Sequence, residues 1–517
     1  MLVVTLLTAG LLTLFNTQLL RSTESALSTQ AFLAAETGVS LGKAYITTNA
    51  SWQAGLPRSI TGAIGQASFT SVVAAAGVGT ARITSTGRRD PTAWTSLWEG
   101  EGTRIQALAV YRDTSGSDNF PRWRGYNQFH QVLDEQMALT AANPPQWQRL
   151  AASPKTNEFL LVTQNSGGRI YGQAWTNNTW YAATLLNSAA AGTAYRGFDA
   201  AYENLSGEGL AVYSDSDAGG SPRYRTWDGS QWSAEATLTN IAAGYPICWV
   251  RLAPQPGSDN ILCLVRWRKT NNPKGNYSSA VVWNGGQWGN VTNLEVLSGS
   301  TIDYDTMDVA CSSNRALAVY TDATTTPRYR TWNGTNWSGD GSVGAALSAQ
   351  PRWIRVEFSS NGADAFAAFL DANDRLNGKH WTPAGGWDAA YTNFGTSGGV
   401  RLESSATRCF DIAWGRQTNA LMVTYAVFNQ TAHSYMIQPQ GGAASYGTLA
   451  AIDDGRWSAL RADPYAPEFV YLSLDDQSDV NFQRWNGSAW SLVAELETAS
   501  NLSYDSIALA FRLDLAP

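Results

Sequence analysis

Two kinds of residue recur along this chain where they could do chemistry. The first are charges near the start of short strand-like segments. WQRLA, WVRLA and WIRVE carry Arg149, Arg251 and Arg355, and the segments between and after them, FDAAY, YDTMD and FDIAW, carry Asp199, Asp305 and Asp411. A last segment, YDSIALAF, brings Asp505. Carboxylates in such numbers could serve as general acids and bases. Their alternation with arginines points elsewhere, because opposite charges on neighbouring strands pair whereas a ring of one sign repels. Ala459, in WSALR, interrupts the series. The second kind are tryptophans five apart around an Asp-Gly or Asn-Gly: Trp227 and Trp232, Trp332 and Trp337, Trp485 and Trp490. Such pairs either pack between neighbouring sheets or stand exposed as platforms for sugar rings.

Other catalytic constellations are missing from the sequence. The three histidines, His130, His380 and His433, lie far apart without metal-ligand spacing. No His-Glu-x-x-His pair or phosphate loop occurs. Calcium could be held by SDSDAGG (Asp215, Asp217) or DANDRLNG (Asp371, Asp374), but both fall short of the ligand set of an EF-hand. These acids are expected to solvate turns, and no cofactor is expected. Cys248 and Cys263 lie on consecutive strand signals and could face one another; Cys311 and Cys409 are remote.

The elements that must position these residues are strands. ALAVYRD, FLLVTQN, GLAVYSD, ILCLVRW, ALAVYTD, AFAAFLD, ALMVTYA and FVYLSLD begin at Ala107, Phe159, Gly209, Ile261, Ala316, Ala365, Ala420 and Phe469, a period of roughly 50 residues. A period of that length with strand chemistry is the mark of a β-propeller. Residues 104–517 are therefore predicted to form eight blades. The Asp-Gly and Asn-Gly hairpins, predicted as type I′ turns, would join the outer strands. The strand at 503–512 has no blade after it, and the first blade lacks an innermost strand. Closure of the ring by the C-terminal strand answers both, and removes free sheet edges. Innermost strands line the channel, so Arg149, Asp199, Arg251, Asp305, Arg355, Asp411 and Asp505 are predicted to form a ring there.

Composition agrees with a turn-rich β body: 517 residues, 15% charged, with 47 Gly, 22 Trp and 21 Tyr. A net charge of −7 and the lack of any Lys/Arg run exclude a nucleic-acid partner.

The first fifth reads differently. MLVVTLLTAGLLTLFNTQLL has no charge before Arg21 and, as a helix, would span a bilayer's hydrocarbon core. No basic segment or small-residue cleavage site marks it as a secretory signal. Leu27, Phe32, Ala35, Val39 and Leu41 suggest that an amphipathic helix continues to about residue 48. The predicted domains are this helix (1–53), a β-hairpin region (54–103) and the wheel (104–517).

LVV-x-LL at the start, AFLAAETG at 31–38 and the strand-like GQASFTSVV and GVGTARITSTGRR resemble type IV pilin-like subunits, particularly minor pilins and pseudopilins. The resemblance covers about the first 100 residues. It implies a helix that assembles into a filament through Met1, Leu2, Val3, Val4, Thr5, Leu12, Phe15 and Leu19. Thr5 departs from the glutamate most pilins carry there. The hairpins of the wheel also resemble the Asp-box turn of sialidases and some propeller lectins, a likeness of turns rather than of active sites. The expectation is a non-enzymatic subunit of an extracellular pilus-like filament, inserted in the inner membrane before assembly. Its partners would be other pilin subunits and, through the wheel, surface glycans or other cells. The alternative is a membrane-anchored glycan-binding propeller, lectin- or sialidase-like.

Overall fold

The computed structural model describes residues 29–46 and 56–514, apart from 78–79, 90–91, 102–104, 116–119, 139–142, 177, 191, 217–220, 239–240, 242–244, 246, 270–274, 298–302 and 397. The apolar start, with Met1, Leu2, Val3, Val4, Thr5, Leu12, Phe15 and Leu19, lies outside the described residues. The chain divides into two compact units, 1–106 with 126–133, and 107–125 with 134–517.

In the first unit a helix, 29–46, packs on a four-stranded antiparallel meander: Arg58–Ile64, Ala67–Gly77, Thr80–Arg89 and Thr92–Glu101. This is the one helix among the described residues, and the remainder of the 1–48 helix expected lies outside them. Among the described residues no helix is long and apolar enough to cross a membrane. The meander exceeds the predicted hairpin by two strands. The helix face agrees with prediction at Ala35 and Val39, differs at two positions, and Leu27 lies outside the described residues. Phe32 and Leu41 are exposed, and the buried stripe is Ala31, Ala34, Ala35, Val39 and Ile46, at the three- and four-residue spacing of one helix face. The sheet selects small residues because the backbones come close: a Cβ on Gly87 would meet the Ala31 carbonyl oxygen at 2.0 Å. Val39 and Ile46 then reach Val73, Ala81 and Ile83.

The second unit is the propeller. Its described residues hold eight antiparallel sheets, whose inner strands are Pro145–Ala152, Phe198–Tyr202, Ile247–Pro254, Met307–Ser312, Pro351–Phe358, Phe410–Trp414, Gly455–Ala462 and Ala508–Phe511. The last belongs to the first blade: Ala508–Phe511 pairs with Ile105–Arg112, pairing Ala508 with Val110 and Phe511 with Ala107. Each inner strand contacts the next around the ring, the eighth blade meeting the first and the first the second. The apolar signals of the sequence are the second strands, and Phe469–Asp475 and Ala365–Asp371 are buried along their full length. The core lies between blades. Leu210 and Val212 of blade three pack with Val250, Ile261, Cys263 and Trp283 of blade four, and Leu317 and Val319 of blade five with Ile354, Ala367 and Phe369 of blade six.

The hairpins differ from the type I′ prediction. Gly229, Gly334 and Gly487 alone take positive φ (92°, 94° and 96°) within their turns. The residue before each caps the loop with its side chain: Asp228 Oδ1 accepts from the N–H groups of Ser230 and Gln231, at 2.8 and 2.9 Å. Asn333 and Asn486 repeat this. Trp227 and Trp232 face each other across the loop, as do Trp332 and Trp337, and Trp485 and Trp490. Cys248 and Cys263 do not face: Leu252 lies opposite Cys263, Cys248 sits at a bulge, and all four thiols are free.

Candidate functional site: a blind cavity on the wheel axis

The inner strands of the even blades carry Trp147, Trp249, Trp353 and Trp457. These four meet on the axis in a closed pinwheel, with neighbouring ring centroids 5.6, 5.9, 5.5 and 5.9 Å apart and edge-to-face angles of 81–85°. None is more than 3% exposed. Trp147, Trp353 and Trp457 donate their indole N–H to the carbonyls of Thr193, Ser405 and Leu502, in the loops that lead to the next blade's inner strand. Edge-to-face pairs contribute about 0.5–1.5 kcal/mol each beyond the area they bury. The axis is therefore plugged at this level.

Two residues further along each strand lies the charged ring. Strand pairing places Arg149, Asp199, Arg251, Asp308, Arg355 and Asp411 at one equivalent position in blades two to seven. Asp305 and Asp505, predicted at the same ring position as Asp199 and Asp411, lie three residues before it, level with Arg196 and Arg408. The misreading has a simple cause: Tyr304-Asp305 mimics Phe198-Asp199, while the strand itself begins at Met307.

The result is two interlocked tiers. In the deeper one Arg196 Nη2 lies 2.9 Å from Asp305, and Arg408 Nη2 lies 3.4 Å from Asp505. Arg251 and Arg149 reach down to the same carboxylates at 2.7 and 3.2 Å. In the outer tier Arg355 spans Asp308 and Asp411, at 2.9 and 2.8 Å. Arg461 joins Asp411 at 3.2 Å in place of the arginine that Ala459 lacks. Burial alone would raise the Asp411 carboxyl, but Arg355, Arg408 and Arg461 outweigh it and hold it far below the carboxylate range. Asp505 is lowered likewise, against its burial, by Arg149, Arg408 and Arg196. Burial disfavours charge on Arg355 too, yet Asp308 and Asp411 raise its affinity for the proton. Arginines engaged in this way are structural ties.

Beyond the ring the channel widens into a cavity of about 800 Å³. Its wall includes the charged Glu357, Arg416 and Arg461 and the small apolar Ala459, Ala508 and Leu509. Burial is the main force on Glu357 and pushes its carboxyl up to about 7, against the pull of Arg461, Arg355 and Arg416. Among the described residues its carboxyl makes no hydrogen bond or ion pair, and neither does the Arg416 guanidinium. Sequence reading missed Glu357 and Arg416. Glu357 does lie two residues after Arg355 on one strand, hence on the same face, and that spacing was a signal for it. Arg416 sits in a turn after blade seven's inner strand, where the sequence gives no sign of its direction.

The other predicted residues lie away from the cavity. Trp227, Trp332 and Trp485 are buried between blades, at 3%, 1% and 6% exposure, and Trp227 Nε1 donates to Glu158 of blade two at 3.0 Å. Trp232, Trp337 and Trp490 are half-buried. Asp215 is paired with Arg223 at 3.1 Å, and Asp371 caps its own turn at Asn373 and Arg375. Asp217 lies outside the described residues. Among the described residues no group of three or more metal-ligating side chains occurs.

A polar motif that the sequence reading passed over recurs in blades one, three and five. Tyr111, Tyr213 and Tyr320 donate to Glu135, Glu235 and Asp340, while Arg124 and Arg225 donate to the first two phenol oxygens at 3.0 and 3.2 Å. The repeated AVY-x-D and P-R-x-R segments were its signal. These groups satisfy one another and fasten the outer strands.

No protein-family model matches the chain, and no curated protein sequence matches it. Among solved structures it is similar to the BP39L lectin from Burkholderia pseudomallei, at 12% identity and a TM-score of 0.49, over 68% of this chain and 99% of that one. It is similar to AofleA from Arthrobotrys oligospora, at 11% and 0.34, over 62% and 91%. A third is the NanB sialidase from Streptococcus pneumoniae, at 9% and 0.35, over 77% and 91%. Such likenesses say nothing of a ligand.

Proposed function

We propose that the propeller is a glycan-binding module carried at a cell surface by the N-terminal segment, and that its site is the blind cavity. One observation carries this reading. The channel opens at one end into about 800 Å³ lined by charged and small apolar side chains, and the indole pinwheel closes the other. That volume lies within the range of ligand pockets, and the mixed lining suits a molecule with both C–H faces and polar edges. The full-length protein should bind members of a glycan array. Ser313→Trp and Gly362→Trp, which crowd the cavity wall, should abolish that binding, while Trp232→Ala at the hairpins should not. Binding lost only on Trp232→Ala would move the site to the rim.

A hydrolytic reading has one observation in its favour: Glu357, at about 7, has the proton affinity of a general acid. Against it, the ring arginines are committed to aspartates and could not clamp a reacting anion. Turnover of fluorogenic glycosides that Glu357→Gln abolishes would establish it.

For display, the pilin-like reading draws support from the first unit, where a small-residue helix face lies on an antiparallel meander and leaves Phe32, Leu33 and Leu41 exposed. Sheared surface filaments should contain the protein, and Leu12→Arg should remove it from them, since an unpaired charge in an apolar helix core costs several kcal/mol. Filaments unchanged by Leu12→Arg would exclude assembly through this segment.

A further inference from the structure

Read around the axis from blade two, the ring position holds Arg149, Asp199, Arg251, Asp308, Arg355, Asp411, Ala459 and Ala508. Charge alternates through six blades and then stops. The two alanines are neighbours, because the eighth and first inner strands adjoin. Both line the cavity, with Ile507 and Leu509 beside them. Arg461 supplies the contact to Asp411, and Asp505 the contact to Arg149, that charges at 459 and 508 would have made, so the ring position itself is left apolar in these two blades.

The borders of the gap are as distinctive as the gap. Arg461 stands two residues beyond Ala459, and Arg416 projects from blade seven. Arg416 and the Glu357 carboxyl of blade six have no hydrogen-bonding or ion-pair partner among the described residues. The apolar gap is thus bordered on blade seven by the Arg416 guanidinium, with the Glu357 carboxyl one blade further round the same cavity wall. A saccharide ring has the complementary surface, a C–H face that lies on small apolar side chains and polar substituents at its edge. A guanidinium is matched to a carboxylate by its fork of donors.

We infer that Ala459 and Ala508 form the specificity-determining subsite of the cavity, seating the C–H face of the terminal sugar of a carboxylated glycan while Arg416 takes its carboxylate and Glu357 a hydroxyl. This rests on the glycan-binding reading and adds the ligand class and its orientation. The test uses the full-length protein and oligosaccharides ending in a sugar acid, each beside its neutral, carboxyl-reduced counterpart. The native protein should prefer the acid. Arg416→Ala, an exposed change that leaves the wheel intact, should weaken the acid about 10- to 100-fold, the worth of a charged hydrogen bond, and leave the neutral form unaffected. Ala459→Arg with Ala508→Asp fills the gap with a charged pair and, folded, should lose both ligands. Equal binding of acid and neutral forms overturns the inference, as does an Arg416→Ala variant that binds the acid normally. So does a folded gap-filled variant with native binding. If the gap-filled variant does not fold, Arg416→Ala alone decides. A native protein that binds no glycan at all instead overturns the proposed function.

Discussion

The carboxylate of Asp505 lies 3.2 Å from the guanidinium of Arg149, though 356 positions separate them in the chain. Asp505 immediately precedes the strand that closes the first blade, so this ion pair fastens the seam of the wheel. Removing one partner strands buried charge on Arg149 and Arg408. Asp505→Asn should therefore cost about 3–5 kcal/mol in thermal or denaturant unfolding. Deleting residues from Ser503 onward should go further, leaving Ile105–Arg112 as an open edge and producing aggregation at low temperature. A truncated protein that melts like the intact one would show that the ring does not need this seal.

The tryptophans should separate by position. Trp249→Ala and Trp332→Ala each remove a side chain of 1% exposure and should lower stability by about 3–5 kcal/mol. Trp232→Ala and Trp337→Ala, half-buried, should cost less. Equal losses at all four would contradict the packing described above.

Glu357 predicts two pH effects of definite sign. Its carboxyl is raised in the folded protein to about 7, above the ordinary glutamate value of about 4.3. Between those values the folded state holds a proton that the unfolded state has released, so this group's contribution to stability declines as pH rises from about 4.3 to 7. Glu357→Gln should accordingly raise the melting temperature at pH 8 and change it little at pH 4. If the ligand is anionic, its affinity should also rise as pH falls through 7, because a neutral Glu357 no longer repels it, and the Gln variant should flatten that profile. Isothermal titration at pH 6 and 8 reads the difference.

His380 should act with the same sign over a higher pH interval, through a charged contact rather than through burial. Its Nδ1 lies 3.1 Å from Asp364 and its Nε2 3.0 Å from Gln438 of blade seven. Burial works against its charge, but the hydrogen bond and attraction to Asp364 prevail and raise its pKa. The stabilisation is fully present below the unfolded value of about 6.5 and is lost as pH rises through the higher folded value. The native protein should lose roughly 1–3 °C more than His380→Gln over that interval. Parallel melting curves for the two would exclude the link between blades six and seven.

The blades were legible because each second strand is an apolar run that nothing but a buried strand explains, and because 503–512 had no other place to go. The ring was legible as alternating charge. It slipped by three residues at Asp305 because an aromatic followed by Asp occurs twice in register-shifted positions, and only hydrogen-bonded pairing separates them. Asp308, the true ring member, was hidden in the same pentad, YDTMD. The axial tryptophans were visible as the first letters of WQRLA, WVRLA, WIRVE and WSALR. That they meet one another is a property of closure, which brings residues about 100 positions apart within ring contact and has no local signature. The helix face was misjudged at two positions for a related reason: large apolar residues suggested the buried side, whereas close approach at Gly87 required small ones.

If the cavity is the binding site, the pinwheel of indoles also limits how the protein can hold on. Eight repeated blades suggest eight equivalent grips, yet the cavity above the plug is a cup with a single mouth. A ligand that enters must leave by the same route, and two ends of a long chain cannot thread through. Grip on a crowded surface would then scale with how many copies stand side by side, each contributing a single contact whose effective concentration is set by the spacing of their bases.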